Sequence, residues 1–269
     1  MGSPISQAKS VAQLSGPQAT HVSSSVIWTV AGSDSSGGAG IQADIKTAHD
    51  FAVHAATVIT AVTAQNSLGV NYIDVISEQS FTQQLMSLRD DMPPKVIKIG
   101  LLASVAQVNA LASLIRGFVN TGVNTGGDTS DSTQTRPFVV LDPVQVASTG
   151  DAMAEKGVTE AIKNTLLPLV DLLTPNLVEL AILANIECGD LHAQQKAAAH
   201  LISKGCKAIL VKGGHAGGQY SIDRYFSATS SFSMSSLRLN TMHTHGTGCT
   251  LSSAISAALA KGYLLEDAL

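Results

Sequence analysis

Close to the C-terminal end, Thr244-His245-Gly246-Thr247-Gly248-Cys249-Thr250 sets two glycines, three hydroxyls and a thiol just ahead of an unbroken Ala/Ser/Leu-rich run, 251–261. That is the layout of a glycine-rich loop opening into a helix. The free N–H groups and the dipole at a helix start attract an anion. Cys249 falls in the first turn, where the same dipole favours a thiolate. An ionisable group inside an anion site points to phosphate chemistry. The competing reading is a plain helix cap over a buried cysteine, since free Cys is among the most buried residue types.

Other polar residues stand where apolar runs stop. Asp142 follows the apolar stretch 138–141 and precedes Pro143. A carboxylate there meets a metal or a substrate, or only caps a turn. Asn176 and Glu179 have NxxE spacing at a strand-to-helix junction, a pattern that an N-cap with its capping box explains equally well. Lys212, ahead of Gly213 and Gly214, puts a cation beside open backbone. That suits a phosphate, although a lone lysine is more often simply solvated. Gln65 closes an apolar strand and can donate and accept in one plane. His215, His243 and His245 lie near glycines without ligand spacing and read as ordinary loop histidines.

The stretch 38–43 fits a loose GxGxxA pattern, but six residues separate Gly38 from the strand end at Ala31. No acidic residue follows about twenty positions on, so dinucleotide binding is disfavoured. No GxxxxGK[ST] sequence is present, which excludes a P-loop.

Positioning these residues requires a regular frame. Apolar, β-rich stretches at 26–31, 55–64, 96–102, 138–141, 170–173 and 208–212 read as strands. Helical patterns occupy 41–51, 79–91, 107–119, 155–167, 177–184, 192–203 and 251–261, and two polar strands follow at 220–226 and 231–239. The alternation implies a mostly parallel sheet covered by helices on both faces. Ligands then bind beyond the carboxyl ends of the strands, where Asp34, Gln65, Asn66, Asp142, Asn176 and Lys212 stand. The polar, glycine-rich stretch 121–136 is too long for an ordinary connection and reads as a surface insertion.

The 269 residues are 45% hydrophobic, with a formal charge of −4 and no basic run. Nucleic acid and anionic membranes are poor partners for such a chain. No apolar stretch approaches the roughly 18 residues of a membrane helix. Cys188, Cys206 and Cys249 are odd in number and form no CxxC pair. That argues for a reducing, cytoplasmic setting and against structural zinc. Residues 1–25 carry no apolar core of a signal peptide and read as a disordered tail.

Taken together, seven segments are specific: VAGSDSSGGAGIQAD at 30–44, TAVTAQN at 60–66, KIG at 98–100, VLDPV at 140–144, TPNL at 174–177, VKGGH at 211–215 and THGTGCTLS at 244–252. In this order they closely resemble the hydroxymethylpyrimidine/phosphomethylpyrimidine kinases of thiamine synthesis, within the ribokinase-like superfamily. The resemblance implies a three-layer αβα sandwich over 26–269 and two successive phosphorylations of 4-amino-5-hydroxymethyl-2-methylpyrimidine by ATP with Mg2+. It puts Gln65, Asp44, Gly32, Leu101 and Val144 at the pyrimidine. Gly246, Thr247, Gly248 and Cys249 form the anion hole, with Cys249 as base and Lys212 on the phosphates. Asn176, Thr244 and Lys212 face the nucleotide, and Asp142 and Glu179 hold magnesium. A homodimer is implied as well.

Several positions depart from the family pattern. Ser35 replaces the usual proline, and Leu101 and Gln145 stand where methionines are common. The chain also stops soon after the anion-hole helix, so a missing C-terminal segment is an expectation. The alternatives are a pyridoxine or pyridoxal kinase, a non-catalytic pyrimidine-binding fragment, and a cysteine hydrolase built on Cys249.

Overall fold

The central strands are apolar at successive positions because helices cover both of their faces, and neighbouring side chains feed two different cores. The computed structural model describes residues 25–66, 68–121, 136–144, 153–214, 218–239, 241 and 244–269. In chain order the elements are β1 (Val26–Asp34), α1 (Gly40–Asp50), β2 (His54–Asn66), β3 (Gly69–Val75), α2 (Glu78–Asp91), β4 (Val96–Ile99), α3 (Val105–Thr121) and β5 (Phe138–Leu141). Then follow α4 (Val158–Ala161), β6 (Leu172–Leu173), α5 (Leu177–Ala184), α6 (Leu191–Ser203), β7 (Ala208–Val211), β8 (Tyr220–Ser227), β9 (Ser231–Leu237), α7 (Thr247–Ala260) and α8 (Leu265–Ala268).

Among the described residues the strands form one sheet in the order β3-β2-β1-β4-β5-β6-β7-β8-β9. The six from β2 to β7 in that order are parallel, and β3, β8 and β9 pair antiparallel at the two edges. Trp28, Ile97, Val139, Leu173 and Ile209 pack with Phe81, Leu111, Leu180 and Leu201 of α2, α3, α5 and α6. Their strand neighbours Ile27, Val96, Val140, Leu172 and Leu210 pack with Ala48, Ile255 and Ala257 of α1 and α7. This is the expected αβα sandwich with its mostly parallel sheet.

One central strand position breaks the apolar rule. Lys98 sits between Ile97 and Ile99 in β4, and alternation directs it, like Val96, into the α1/α7 layer. It is fully buried, and its Nζ donates to both carboxylate oxygens of Asp44 at 2.8 and 2.9 Å. Thr29 of β1 and Ser253 of α7 donate to the same carboxylate, the latter at 2.7 Å. Burial opposes the charge on Lys98, but Asp44, Cys249 and Asp142 outweigh it and hold the ammonium above the usual lysine value. A buried charge persists only with such pairing.

The structure departs from the sequence expectations at two elements. Strand β3 was not anticipated, because its side chains are half-buried or exposed and it lacks an apolar face. The helix expected over 155–167 is a single α turn that widens into a π turn at Ile162–Leu166 and tightens to 3-10 at Leu167–Leu169. Pro168 at that end has no N–H to continue the ladder. Helix α7 starts at Thr247, because Gly246 adopts the left-handed conformation at φ 77° and caps it, and Cys249 falls in its first turn as expected. The tail at 1–24, most of the 121–136 stretch, Gln145, His215 and His243 lie outside the described residues. Among the described residues no helix is long and apolar enough to cross a membrane.

Candidate active site

After β1 the chain crosses to β2 on one side, while β4 pairs on the other. Such a switch point leaves a crevice at the carboxyl ends of the strands. A cavity of about 370 Å³ lies there. Gly32, Gln65, Leu101 and Val144 line one part of it, and Asp142, Asn176, Glu179 and Lys212 another. Thr244, Gly246, Thr247, Gly248 and Cys249 lie along it as well.

The loop before α7 rides on the loop after β1. A Cβ at Gly246 would come 1.8 Å from the Gly38 carbonyl oxygen, so only glycine fits that crossing. Two residues on, a Cβ at Gly248 would lie 3.0 Å from Lys212 Nζ and 3.3 Å from Asp142 Oδ2. The open amides of the helix start and a lysine ammonium therefore border the same spot. Both attract an anion.

Lys212 is not a solvated lysine. Its Nζ lies 2.5 Å from Asp142 Oδ1 and 3.8 Å from Glu179 Oε2. Burial opposes its charge, and Asp142 and Glu179 more than offset that, so it stays protonated. The Thr174 hydroxyl donates to Asp142 at 3.3 Å, while the Ser252 hydroxyl, 3.5 Å from Asp142 Oδ2, has a nearer acceptor in the Gly248 carbonyl at 3.0 Å. Asn176 and Glu179 form the capping box anticipated as the plainer reading: Asn176 Oδ1 accepts from Glu179 N at 2.9 Å, and Glu179 Oε2 accepts from Asn176 N at 2.8 Å. Both residues nonetheless face the cavity. Burial pushes the Glu179 carboxyl up to about 7; Lys212 pulls it down and Asp142 pushes it further up.

Asp142 and Glu179 line the same cavity with hard oxygen donors, and both approach the Lys212 ammonium. Among the described residues there is no cluster of three or more His, Cys, Asp or Glu that would cage a metal by itself. The pair suits a magnesium ion that keeps its waters and takes phosphate oxygens as further ligands.

Two expectations are corrected. Asp44 does not line the cavity: it is 1% exposed, and its oxygens are taken by Lys98, Thr29 and Ser253. Strand alternation sends Lys98 into the α1/α7 layer, and Asp44 is the counterion that layer supplies. Cys249 does lie in the first turn of α7, but it is no ready thiolate. Burial pushes the thiol above its ordinary value. Lys98 and the Gly40 N–H pull it down, Asp44 and Asp142 push it up, and the net direction is upward.

Gln65 is pinned at its backbone by Ser35, the residue that stands where the resemblance leads one to expect proline. Ser35 Oγ accepts from Gln65 N at 2.9 Å and donates to Gln65 O at 2.8 Å. The structure also adds residues that the motifs did not single out. His245, read as a loop histidine, lines the cavity with Nε2 2.8 Å from Asp34 Oδ2. Its only sequence signal is its place inside the glycine loop. Val178 and Ile182 of α5 line the cavity while 61% and 43% exposed. A helix written LVELAILA, apolar on every side, carried that signal.

The cavity thus joins a hydrogen-bonding apolar pocket, an anion site and an acidic pair beside exposed apolar side chains. It can hold a small polar ring with a phosphate group between it and a second ligand. The family model described as phosphomethylpyrimidine kinase matches residues 34–269. The chain belongs to the phosphomethylpyrimidine kinase family. It is 38% identical over 244 residues to the hydroxymethylpyrimidine/phosphomethylpyrimidine kinase of Rhizobium meliloti (strain 1021), covering 90% of this chain and 85% of that one. Among solved structures of similar fold, the phosphomethylpyrimidine kinase from Clostridium difficile 630 superposes with a TM-score of 0.75 at 30% identity, over 91% of this chain and 94% of that one. The pyridoxal kinase from Staphylococcus aureus in complex with AMP-PCP and pyridoxal superposes with a TM-score of 0.77 at 26% identity, over 91% and 83%.

Proposed function

We propose that this member of the phosphomethylpyrimidine kinase family transfers the γ-phosphoryl group of ATP to the hydroxymethyl group of 4-amino-5-hydroxymethyl-2-methylpyrimidine, and then a second one to the monophosphate. The observation that carries the reading is the meeting, in one cavity, of Gln65, the loop from Gly246 to Cys249 and the Lys212–Asp142 pair. Gln65 pairs with the aminopyrimidine edge, while Gly32, Leu101 and Val144 pack around the ring. The amides of the α7 start cradle the transferred group, and Lys212 balances its charge. Phosphoryl transfer asks for this positioning and charge balance more than for covalent chemistry. Cys249 takes the proton of the attacking hydroxyl. Asn176 and Thr244 face the nucleotide phosphates, and Val178 and Ile182 give its base an apolar wall. Magnesium, when bound at Asp142 and Glu179, neutralises phosphate charge.

The direct test is incubation of the purified protein with ATP, magnesium and the hydroxymethylpyrimidine, with mono- and diphosphate followed by mass. Pyridoxal serves as the parallel substrate. Phosphorylation of pyridoxal alone would replace this reading by the pyridoxal one. Turnover of neither substrate would favour a binding protein.

Within that assay Gln65→Ala should raise the KM for the pyrimidine and leave the KM for ATP unchanged. Two lost hydrogen bonds are worth about 1–3 kcal/mol together, or roughly 5- to 150-fold. A matched rise in both constants would remove Gln65 from the pyrimidine pocket.

A further inference from the structure

Asp34 and His245 have no part in the roles above, yet they stand where two loops of the cavity cross. Asp34 ends β1 and is 3% exposed. Its carboxylate accepts from Ser36 N at 2.8 Å, Gly38 N at 3.1 Å and Ala39 N at 2.9 Å, and from the Ser36 hydroxyl. The loop after β1 is thus wound around one buried side chain. Burial pushes Asp34 up, but the hydrogen bonds from His245, Ser36 and Ala39 outweigh it and hold the carboxyl below its ordinary value. An ionised carboxylate only accepts. The His245 Nε2 that lies 2.8 Å from Asp34 Oδ2 therefore carries a hydrogen and donates it there.

Around that bond the two loops fit tightly. The His245 ring lies across Gly38, where a Cβ would come 2.6 Å from His245 Cδ2, and the Gly38 carbonyl in turn faces Gly246. His245 directly precedes Gly246 and the start of α7, so the hydrogen it donates ties down the loop that opens the anion site. The loop after β1 also holds the other end of the cavity. Ser35 Oγ bonds both backbone polar groups of Gln65, and the Ser33 carbonyl accepts from Thr63 Oγ1 at 3.0 Å. Gln42 fixes the base of that loop, accepting from Asp34 N at 2.9 Å and donating to Ser33 Oγ at 2.8 Å. Residues 33–39 therefore form a crossbar, with Gln65 attached on one side and the Gly246 loop on the other.

We infer that Asp34 and His245 are positioning residues that set the reach from the pyrimidine site at Gln65 to the anion site at the start of α7. The inference rests on the kinase reading given above. Neither residue has to touch the reacting atoms. Transfer requires the acceptor hydroxyl and the phosphoryl group to meet within a narrow range, and a misplacement of about 1 Å costs about 10²-fold in rate. The crossbar fixes one such distance, between the residue that orients the ring and the amides that receive the charge. Without the clasp the Gly246 loop shifts, while Gln65, still held by Ser35, keeps the ring. Lys212 and Asp142 follow β7 and β5, so the charge partner of the nucleotide phosphates stays in place. The loss falls on the transfer step rather than on binding.

The experiment measures kcat, the KM for the pyrimidine and for ATP, and the melting temperature in His245→Leu, His245→Gln, Asp34→Asn and the double variant of Asp34→Asn with His245→Leu. His245→Leu should lower kcat by about 10- to 100-fold, the cost of a misplaced group. Each KM should stay within about threefold of wild type, as for an interaction realised only in the transition state. The melting temperature should fall by only a few degrees, the scale of one hydrogen bond in a chain of this size. His245→Gln, whose amide nitrogen reaches as Nε2 does, should restore most of the rate. Asp34→Asn turns an N–H toward donors in place of one oxygen, and its kcat should fall at least as far as that of His245→Leu. Adding His245→Leu to it should cost no more than about twofold further, because residues that act as one unit are not additive. An unchanged kcat in His245→Leu overturns the inference, and so does a Gln variant no better than Leu or a double variant whose loss is the product of the two. A raised pyrimidine KM at unchanged kcat overturns it as well and moves the pair to the ring pocket. Wild type that phosphorylates neither the pyrimidine nor pyridoxal defeats the kinase reading itself, whereas an active wild type indifferent to these changes defeats the inference alone.

Discussion

Replacing Cys249 by serine is expected to preserve the fold and the binding of both substrates while lowering kcat by about 10²- to 10⁴-fold, the usual contribution of a positioned base. The side chain lies in the first turn of α7, next to Gly248, whose surroundings include Lys212 and Asp142, and the proposed mechanism has the attacking hydroxyl lose its proton there. Burial holds the thiol above its ordinary value, so at neutral pH only a small fraction is ionised. The sign of the pH dependence follows. The wild-type rate should climb with pH from neutrality through the ordinary thiol range, because each step up enlarges the thiolate fraction. A serine hydroxyl does not ionise in that range, so the variant should lose both the rate and the slope. Steady-state rates at a series of pH values decide the matter. A serine variant with wild-type kcat, or with the same slope, would leave only the backbone amides of the loop in the mechanism.

Lys98→Met should cost the protein about 3–5 kcal/mol, the penalty for removing one partner of a buried ion pair. Out of a total of roughly 5–15 kcal/mol, that is a large share. The reason is the carboxylate left behind: Asp44 is 1% exposed and would keep only the Thr29 and Ser253 hydroxyls. Asp44→Leu combined with Lys98→Met should recover part of the loss, since an apolar pair of similar volume leaves no uncompensated charge. Denaturant unfolding of the three variants measures both effects. A single variant within about 1 kcal/mol of wild type would mean that Asp44 is reached by water or takes up a proton at small cost. The double variant should also show a thiol at Cys249 that reacts differently with an alkylating reagent, because Lys98 pulls that group down and Asp44 pushes it up.

The frame and much of the cavity wall were legible in the residues themselves. Strands β5 and β7 announce themselves as continuous Val/Ile/Leu runs, and Asp142 and Lys212 follow them directly. Helix α5 was bounded correctly because its start is a local device, an Asn176–Glu179 capping box, whose partners are three residues apart. Gly246, Thr247, Gly248 and Cys249 were legible because a glycine loop before a helix is also a local pattern. Gln65 was legible as the polar residue that closes a strand, Gly32, Leu101 and Val144 were found through the family resemblance, and all four line the cavity.

What sequence could not decide are pairings across the sheet. Lys98 and Asp44 are 54 residues apart, and Ser253 lies 209 residues from Asp44. They meet because β4 packs beside β1 and because alternation turns Lys98 toward α1 and α7, and neither fact is written in any local spacing. The same holds for His245 and Asp34, 211 residues apart, which touch because the loop before α7 crosses the loop after β1 at Gly38. The state of Cys249 follows the same rule. A helix N-terminus favours a thiolate in isolation, but burial and the nearby carboxylates of Asp44 and Asp142 reverse it, and only tertiary packing brings those together. Local periodicity and capping depend on neighbours within a few residues, whereas ionisation and counterion choice depend on everything within a few ångströms.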